Sequence, residues 1–438
     1  MVAVIYLLLF IAPQVLIYLY LRERLPDPTR PRQARLVRMG LTAVFTAFNF
    51  PWIFVARRVL FGTVWGIGRI PYIAPWIAWQ MMGWVFCGLV CVYLAAKGVA
   101  WLAQRGRWAW VVGRLRRETA VQLDALRPTP HSQVSRRQFL ARVTYAYAAA
   151  GLGLSTYGIW SAERLPVVTR RTLFFPDLPT GLDGIRIAHL SDVHAGIHME
   201  RAKMQAIVAQ TNALQADLIV QTGDMIDIAA SFIPDYVRAF RDLKAPLGVV
   251  TVLGNHDRYT GEDEVIRGVR DAGQTFVQNG SHVVERNGTP LALVGIDDPR
   301  NWQADDPQDA DVGTALRRTP SGVFKILLAH RPGAFDGAAP RGIPLTLAGH
   351  IHGGQFYLPV IGWSAGRLIT KYVMGHFRQG SSQLYVSRGI GVVGVPIRVF
   401  VPPEIALLEL RRGTASATLG PRSATEDLAV AARDPSVA

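Results

Sequence analysis

The sequence predicts two regions of different class: an α-helical membrane region of about four spans, followed by a layered α/β domain. Three observations support this division. Long runs without charge occupy the first third of the chain, and short β-rich runs alternate with helical patterns from Gly181 onward. In this second region, Asp, His and Asn residues follow several predicted strands at the points where the strands end.

Charge is distributed unevenly along the chain. The 438 residues are 50% hydrophobic, with a mean hydropathy of +0.19 and a net charge of +15. Residues 1–138 hold 18 Lys and Arg against 4 Asp and Glu, whereas the rest of the chain has a net charge of +1. Basic residues beside apolar runs mark cytoplasmic loops of a membrane protein, so this excess does not indicate a nucleic-acid-binding face. The two cysteines, Cys87 and Cys91, exclude a disulfide framework and a Cys-rich zinc site.

Three apolar runs within residues 1–138 predict transmembrane helices. Residues 1–21 and 70–96 each provide the ~20 apolar residues that a bilayer core requires. Residues 39–56 are a shorter fit, because Pro51 interrupts them. The first run has no basic segment before it and therefore does not resemble an ordinary signal peptide.

A fourth apolar run, residues 139–160, is weaker and overlaps the sequence S-R-R-Q-F-L at positions 135–140. This pattern resembles a twin-arginine export signal, and the alternative is a basic flank on an ordinary transmembrane anchor. The A-x-A sequences of this run, within residues 146–150, lie in its middle, which favours an uncleaved anchor. The Arg-rich segments 22–38 and 102–138 are expected in the cytoplasm, so the chain after about residue 160 is predicted to be extracytoplasmic.

Strand and helix patterns alternate after residue 181, which predicts α/β layers. The predicted strands cover residues 185–189, 218–221, 249–253, 291–294, 325–328, 345–347, 383–387 and 405–410. The predicted helices cover residues 199–214, 233–242 and 262–272. This domain is expected at residues 165–412, and residues 413–438 are expected to be disordered because they lack apolar periodicity.

Polar side chains follow five of the predicted strands. Because ligands of α/β sheets bind beyond the carboxyl ends of the strands, these side chains are expected to converge on one site. In chain order they are Asp192 and His194; Asp224 and Asp227; Asn255, His256 and Asp257; His330; and His350 and His352.

The residue types at these positions indicate metal ligands. Asp, Asn and neutral His suit Mn, Fe, Zn or Mg, and the sequence does not discriminate among these metals. Their number exceeds the need of one ion, which predicts two divalent metal ions ~3.5–4 Å apart that share a carboxylate. Such a pair would supply a metal-activated hydroxide for in-line attack on phosphorus.

The motifs D-x-H, G-D-x-x-D, G-N-H-D, a single His and G-H-x-H occur in this order. This set resembles the calcineurin-like metallophosphoesterases over about residues 180–411. The downstream sequences GHIHGGQ, YVSRGIG and VPIRVFVPPEIALLEL are similar to the membrane-associated YkuE/YaeI-like branch of that family. The resemblance implies a layered metallophosphoesterase β-sandwich flanked by helices.

The resemblance also implies a role for each strand-end residue. The ligands of the two metals would be Asp192, His194 and His352 for the first, and Asn255, His330 and His350 for the second. Asp224 would bridge both metals. His256 would contact the phosphoryl oxygens or protonate the leaving alkoxide, with Asp257 able to orient it. Asp227 would support a ligand histidine.

These observations predict a membrane-anchored, metal-dependent phosphoesterase and favour a phosphodiesterase or pyrophosphatase, whose substrate is a phospholipid or an envelope-linked phosphoester; the residues do not decide between monoesters and diesters. The alternative is a binding-only membrane receptor or assembly factor, against which the complete ligand set argues. A transporter is not expected, because a transport path usually needs ionisable residues inside the spans and the predicted spans contain almost none. A nucleic acid is not an expected partner, because the outer domain is nearly neutral. The remaining histidines after residue 139, which lack a motif and are expected to be structural, are His189, His198, His282 and His376.

Overall fold

The computed structural model describes residues 31–49, 153–298, 309–394 and 396–414, together with Val15, Tyr18, Leu19 and Arg22. The chain divides into two compact units, Met1–Thr156 and Tyr157–Ala438. In the first unit, helix α1 spans Pro31–Asn49 and coincides with part of the second predicted span.

Within the described part of the chain, no helix combines the length and the apolar character needed to cross a bilayer. The predicted spans at residues 1–21 and 70–96 lie almost wholly outside the described residues, as does the twin-arginine-like sequence at positions 135–140. Of the fourth apolar run, residues 153–160 are described, and they belong to a helical segment that ends at residue 163. The predicted disordered tail also lies outside the described residues after position 414.

Two six-stranded sheets form the centre of the second unit. The first sheet contains, in spatial order, β1 (Val167–Phe175), β14 (Glu404–Arg412), β2 (Ile185–Leu190), β3 (Leu218–Thr222), β4 (Val249–Val252) and β5 (Thr275–Phe276). The second contains β12 (Gly375–Gln379), β13 (Ser382–Val386), β9 (Leu345–Ala348), β8 (Phe324–Leu328), β7 (Thr289–Gly295) and β6 (Gly280–Arg286). A short hairpin of β10 (Tyr357–Leu358) and β11 (Trp363–Ser364) follows β9 in the chain.

Helices cover the outer faces of both sheets. The named helices of this unit are α2 (Arg201–Ala213), α3 (Ile233–Phe240), α4 (Asn255–Asp271), α5 (Asp309–Arg317) and α6 (Phe335–Ala338). Apolar residues of α2, α3 and α4 pack against the first sheet, and those of α5 and α6 pack against the second. The described domain therefore has four layers, in the order helix, sheet, sheet, helix.

Alternate side chains of the strands fill the interior between the sheets. In β3, Leu218 and Val220 face this interior, whereas Ile219 packs beneath the helices. In β8, Ile326 faces the interior and Leu327 faces the helices on the other side. Each such side chain contributes roughly 1.5–3 kcal/mol through burial. The mixed α/β sheets agree with the predicted β-sandwich flanked by helices.

The sheet order differs from chain order at one edge of the first sheet. The closing strand β14 lies between β1 and β2, parallel to β1 and antiparallel to β2. The sequence did not predict β1, because its central residues, Arg170 to Thr172, are exposed or half-buried and show no apolar alternation. Helix α4 begins at Asn255 rather than at residue 262, since Gly261, with φ +134°, interrupts it and separates its polar start from its apolar end.

Candidate metal centre

Loops from both sheets bring the strand-end side chains to one edge of the sandwich. Strands β2, β3 and β4 are parallel neighbours in the first sheet, and β8 and β9 are parallel neighbours in the second. Their carboxyl ends therefore deliver side chains to a common place. The side chains that meet there are Asp192, His194, Asp224, Asn255, His330, His350 and His352, with His256 beside them.

Asp192, His194 and His352 form a first cluster of potential metal ligands. The Nε2 atoms of His194 and His352 lie 3.1 Å apart, and His352 Nε2 lies 3.3 Å from Asp192 Oδ1. All three residues are buried, and their ligand atoms lie within 4.8 Å of one another. Nitrogen and oxygen donors that converge in this way fit a divalent cation of the Mn, Fe, Zn or Mg type.

Asp224, His330 and His350 form a second cluster, and Asn255 adds a fourth donor. His330 Nε2 lies 3.2 Å from Asp224 Oδ2, 3.1 Å from Asn255 Oδ1 and 3.1 Å from His350 Nδ1. This cluster offers the same oxygen and imidazole chemistry as the first.

The Asp224 carboxylate faces both clusters. Its Oδ2 atom lies 3.2 Å from His330 Nε2 and 3.5 Å from His194 Nε2. Its Oδ1 atom accepts a 2.8 Å hydrogen bond from the backbone N–H of His256, which fixes the orientation of the carboxylate. One carboxylate placed between two sets of donors is the arrangement that a two-metal site requires.

The protonation of the histidines fits metal binding. Burial lowers the pKa of His350 and His352 well below the ordinary value, and cationic neighbours lower it further, which favours the neutral imidazole that binds metals. His330 Nδ1 lies 2.8 Å from the carbonyl oxygen of Thr222 and donates to it, so Nε2 can present a lone pair. Burial also lowers the pKa of His330, but the charge of Asp224 raises it to about 10, so a metal must displace a proton there.

The loops of the site adopt strained backbone conformations. Five of the candidate ligands have positive φ, between +50° and +71°: Asp192, His194, Asp224, His350 and His352. Such conformations cost on the order of 1 kcal/mol each in a non-glycine residue. Hydrogen bonds between loops help to maintain them, for example from the Asp192 N–H to the Gly223 carbonyl at 3.0 Å. The backbone conformations of these five residues direct their side chains toward the candidate metal centre.

His256 is held by Asp227. Its Nδ1 atom lies 2.6 Å from the Asp227 carbonyl oxygen and 3.4 Å from Asp227 Oδ1, and the same Oδ1 atom lies 3.6 Å from His194 Nδ1. Burial lowers the pKa of His256, but the hydrogen bond to Asp227 and the charge of Asp224 raise it to about 9. Asp227 therefore connects one candidate ligand to the candidate catalytic histidine.

Asp257 lies elsewhere than the sequence suggested. Its carboxylate is fully buried and accepts hydrogen bonds from the backbone N–H groups of Gly254, at 2.9 Å, and Ile226, at 3.0 Å. Asp257 occupies the third position of α4, where a carboxylate can accept a hydrogen bond from the N–H of the residue that precedes the helix, here Gly254. The carboxylate that contacts His256 is that of Asp227, and Asp257 instead ties together the loops after β3 and β4.

Two arginines lie near the candidate ligands. Arg331 follows His330 in the chain and pairs with Asp298 through Nε–Oδ1 at 2.8 Å and Nη2–Oδ2 at 3.3 Å. The sequence motifs do not point to Arg398, although an arginine inside the apolar run VPIRVFV is an unusual feature that indicates a buried partner. It is fully buried, donates to the carbonyls of Gly389 and Val401, and lies 3.2 Å from His352 Nδ1.

Comparison with known proteins identifies relatives. The sequence model of the calcineurin-like phosphoesterases matches residues 185–354. The chain is 31% identical to the uncharacterized metallophosphoesterase YkuE of Bacillus subtilis (strain 168) over 290 residues, which are 64% of this chain and 98% of that protein. It is also 31% identical to a transmembrane protein with metallophosphoesterase domain from Danio rerio, covering 59% of this chain and 60% of that protein.

The solved structure of a dimetal phosphatase from Danio rerio aligns with 47% of this chain and 88% of that protein's chain, at 11% sequence identity. The TM-score of 0.30 is too low to support a functional argument. The relation to YkuE spans nearly all of that protein. The chain therefore belongs to the calcineurin-like metallophosphoesterase family and is a phosphoester hydrolase that depends on two divalent metal ions.

Proposed function

We propose that the chain is a membrane-anchored phosphodiesterase or pyrophosphatase that acts on phospholipids or on other phosphoesters linked to the cell envelope. The observation that carries the catalytic part of this proposal is the Asp224 carboxylate, which lies between two sets of potential metal ligands. A binding-only descendant would have no need to retain a shared carboxylate with both donor sets around it.

We assign the metal ligands as the sequence motifs suggested. The first metal would be held by Asp192, His194 and His352, and the second by Asn255, His330 and His350, with Asp224 contacting both. When bound, such a pair of metals activates water and stabilises the attacking and leaving oxygens of a displacement at phosphorus.

His256 is the proposed acid. Its Nδ1 atom is engaged by the Asp227 carbonyl, so its Nε2 atom is the one left to hold a proton for the leaving oxygen. Asp227 fixes the orientation of this ring. Asp257 is proposed as a positioning residue, because it braces the loops that carry Asp224 and His256 without touching the reacting groups.

Location is proposed from the sequence and from the names of relatives. The apolar run at residues 139–160 would anchor the domain at residues 165–412, after three further spans before residue 138. The relatives from Danio rerio and Bos taurus are named transmembrane proteins. The Arg-rich segments would place the catalytic domain on the extracytoplasmic side. A substrate that is itself part of the envelope suits this position.

The proposal is tested by hydrolysis of bis-p-nitrophenyl phosphate by the purified full chain, metal-free and with added manganese. We expect turnover only with metal, and a loss of about 10²–10⁴-fold in kcat for His256→Ala. His282→Ala, which changes a half-buried histidine on β6, is the matched control and should retain full activity. If the chain binds manganese but turns over no diester or pyrophosphate with any divalent metal, the binding-only alternative is correct.

A further inference from the structure

A segment beside the metal centre exposes apolar side chains to an unusual degree. Residues 357–369, here called the apolar hairpin, contain β10, β11 and the turn that follows them. The exposed fractions of its side chains reach 98% for Val360, 69% for Ile361, 79% for Leu368 and 68% for Ile369. Single exposed apolar residues are normal on a protein surface, but four within ten residues indicate an interaction surface.

The base of the apolar hairpin is fixed on the loop that carries His352. Ser364 Oγ donates to the carbonyl of Gly353 at 2.7 Å and accepts from the N–H of Gly366 at 3.0 Å. Tyr357 is buried in a small cluster with Ile351 and Val401. The hairpin therefore holds its exposed residues at a defined place next to the candidate ligand.

The apolar hairpin carries a positive charge and no negative one. No Asp or Glu occurs between Asp336 and Glu404, whereas this interval contains six Lys and Arg residues, of which Arg388 and Arg398 are buried and Lys371 pairs with Asp336. Arg367 lies within the hairpin and is exposed. An apolar surface with an excess of positive charge is complementary to the interface of a bilayer that contains anionic lipids.

The apolar hairpin also adjoins the point at which the chain enters the domain. The Val399 N–H donates to the Gln355 carbonyl at 2.8 Å, and the Val399 carbonyl accepts from the Tyr357 N–H at 3.0 Å. The neighbouring residue, Arg398, donates its N–H to the Gly158 carbonyl at 2.8 Å. Residues 139–156, which precede this entry point, are mostly apolar in sequence. The hairpin thus lies beside the end of the proposed anchor.

Aromatic side chains surround the same entry point. The rings of Tyr157 and Phe400 lie 5.1 Å apart, and the Arg164 guanidinium lies 4.5 Å from the centroid of the Trp160 ring. Trp160 is 52% exposed and Phe400 is 36% exposed. Aromatic and basic side chains in combination are typical of the membrane–water interface.

We propose that the apolar hairpin inserts into the interface of an anionic bilayer and thereby holds the metal centre against lipid-embedded phosphoesters. Val360, Ile361, Leu368 and Ile369 enter the acyl boundary, and Arg367 remains among the headgroups. This inference rests on the proposed membrane-anchored phosphoesterase, and it adds the surface through which the enzyme contacts its substrate.

The test measures the depth of the hairpin in a membrane. Cys87→Ala and Cys91→Ala remove the native thiols from the full chain, and Val360→Cys then carries an environment-sensitive nitrobenzoxadiazole label. The protein is reconstituted in vesicles of phosphatidylcholine and phosphatidylglycerol, with and without a spin label on the lipid acyl chains. The matched control is Ser381→Cys, in the polar turn between β12 and β13.

We expect the label at position 360 to emit at shorter wavelength and to be quenched several-fold more strongly by the spin-labelled lipid than the label at position 381. Equal quenching at the two positions would overturn the inference. Energy transfer between labelled copies without lipid quenching would also overturn it, because the hairpin would then bind a second copy of this chain.

Activity toward bis-p-nitrophenyl phosphate separates this result from the proposed function. Turnover in the same vesicles without quenching at position 360 removes the membrane contact and leaves the phosphoesterase. Quenching at position 360 without metal-dependent turnover supports the contact and rejects the proposed catalytic activity.

Discussion

The loop that carries His350 and His352 and the apolar hairpin that follows it are neighbours in sequence, yet they are built in opposite ways. The metal-site loops bury carboxylates and imidazoles, with Asp192 and His352 only 0% and 3% exposed. In the hairpin, by contrast, the side chain of Val360 is 98% exposed and that of Ile361 is 69% exposed. Both arrangements reverse the usual distribution of polar and apolar groups, and each one marks a place where folding stability alone does not explain the sequence.

The two regions tolerate this reversal for different physical reasons. A buried carboxylate is acceptable because charges and hydrogen bonds surround it: Asp192 accepts the His350 N–H at 3.0 and 3.1 Å and lies beside His352. An exposed apolar side chain costs little in the folded state, because it is equally exposed in the unfolded chain. Substitutions should therefore damage the first region strongly and the second hardly at all.

The largest effect is expected from Asp224→Asn. The change removes the charge that both donor sets share, so activity should fall by more than about a thousandfold, or about 4 kcal/mol of transition-state stabilisation. The measurement is kcat/KM together with metal content per chain, at unchanged circular dichroism. Asp235→Asn on the surface of α3 is the control and should be active. Normal turnover by the Asp224 variant would rule out a two-metal site.

The next largest effect is expected on stability, from Gly223→Ala. Gly223 has φ +91°, and a Cβ atom there would lie 2.8 Å from the His330 ring and collide with the backbone of Gly254. Backbone strain and overpacking together should lower the free energy of unfolding by about 3–5 kcal/mol, measured by denaturant titration. Gly380→Ala, at φ +61° with open space around it, is the matched control and should lose only about 1 kcal/mol. Equal losses would mean that close packing does not shape the site.

The effect of burying a polar side chain can also be tested by varying the pH, at the buried histidine His189. Burial lowers the pKa of His189 to about 4, and its Nε2 atom lies 2.8 Å from Thr222 Oγ1. The unfolded chain therefore takes up a proton at higher pH than the folded one, so stability should fall as pH drops from about 6.5 to about 4. The loss attributable to this residue is about 3 kcal/mol.

His189→Gln should lose less stability over the same interval, and the comparison is made on the metal-free protein so that metal release does not contribute. Parallel stability curves for the two proteins between pH 6.5 and pH 4 would show that His189 is not the group responsible.

The smallest effect is expected from the double substitution Val360→Asp and Ile361→Asp. Because both side chains are exposed, the free energy of unfolding should change by no more than about 0.5 kcal/mol, and hydrolysis of bis-p-nitrophenyl phosphate should be unchanged. Ile351→Asp, at a 7%-exposed position that packs with Tyr357 of the hairpin, is the contrasting control and should destabilise by about 3 kcal/mol or more. A large loss of stability in the double variant would contradict the described exposure.

Local patterns predicted much of the fold. The strands β2, β3, β8 and β9 were located to within one residue at each end, because short apolar runs that stop at a Gly or a polar residue indicate buried strands. The positions of the candidate ligands after these strands could also be deduced, since parallel strands point their carboxyl ends to one edge. The family relation and the need for two metals follow from the same motifs.

Other features depend on contacts between residues that are far apart in the chain. The sequence indicated an acid next to His256, but Asp227 rather than Asp257 occupies that place, because the start of α4 directs Asp257 to the backbone of Gly254 and Ile226. Likewise, Arg398 approaches His352 across 46 positions of sequence.

Residue types and their order along the chain thus predict the candidate ligands of the metal centre, since these properties are local. The order of strands in the sheet, with β14 between β1 and β2, and the exposure of the apolar hairpin are not local. They depend on which surfaces remain uncovered after two sheets and their helices have packed. Burial is a property of the assembled layers, and an apolar residue such as Val360 has the same appearance in the sequence whether or not a neighbour covers it.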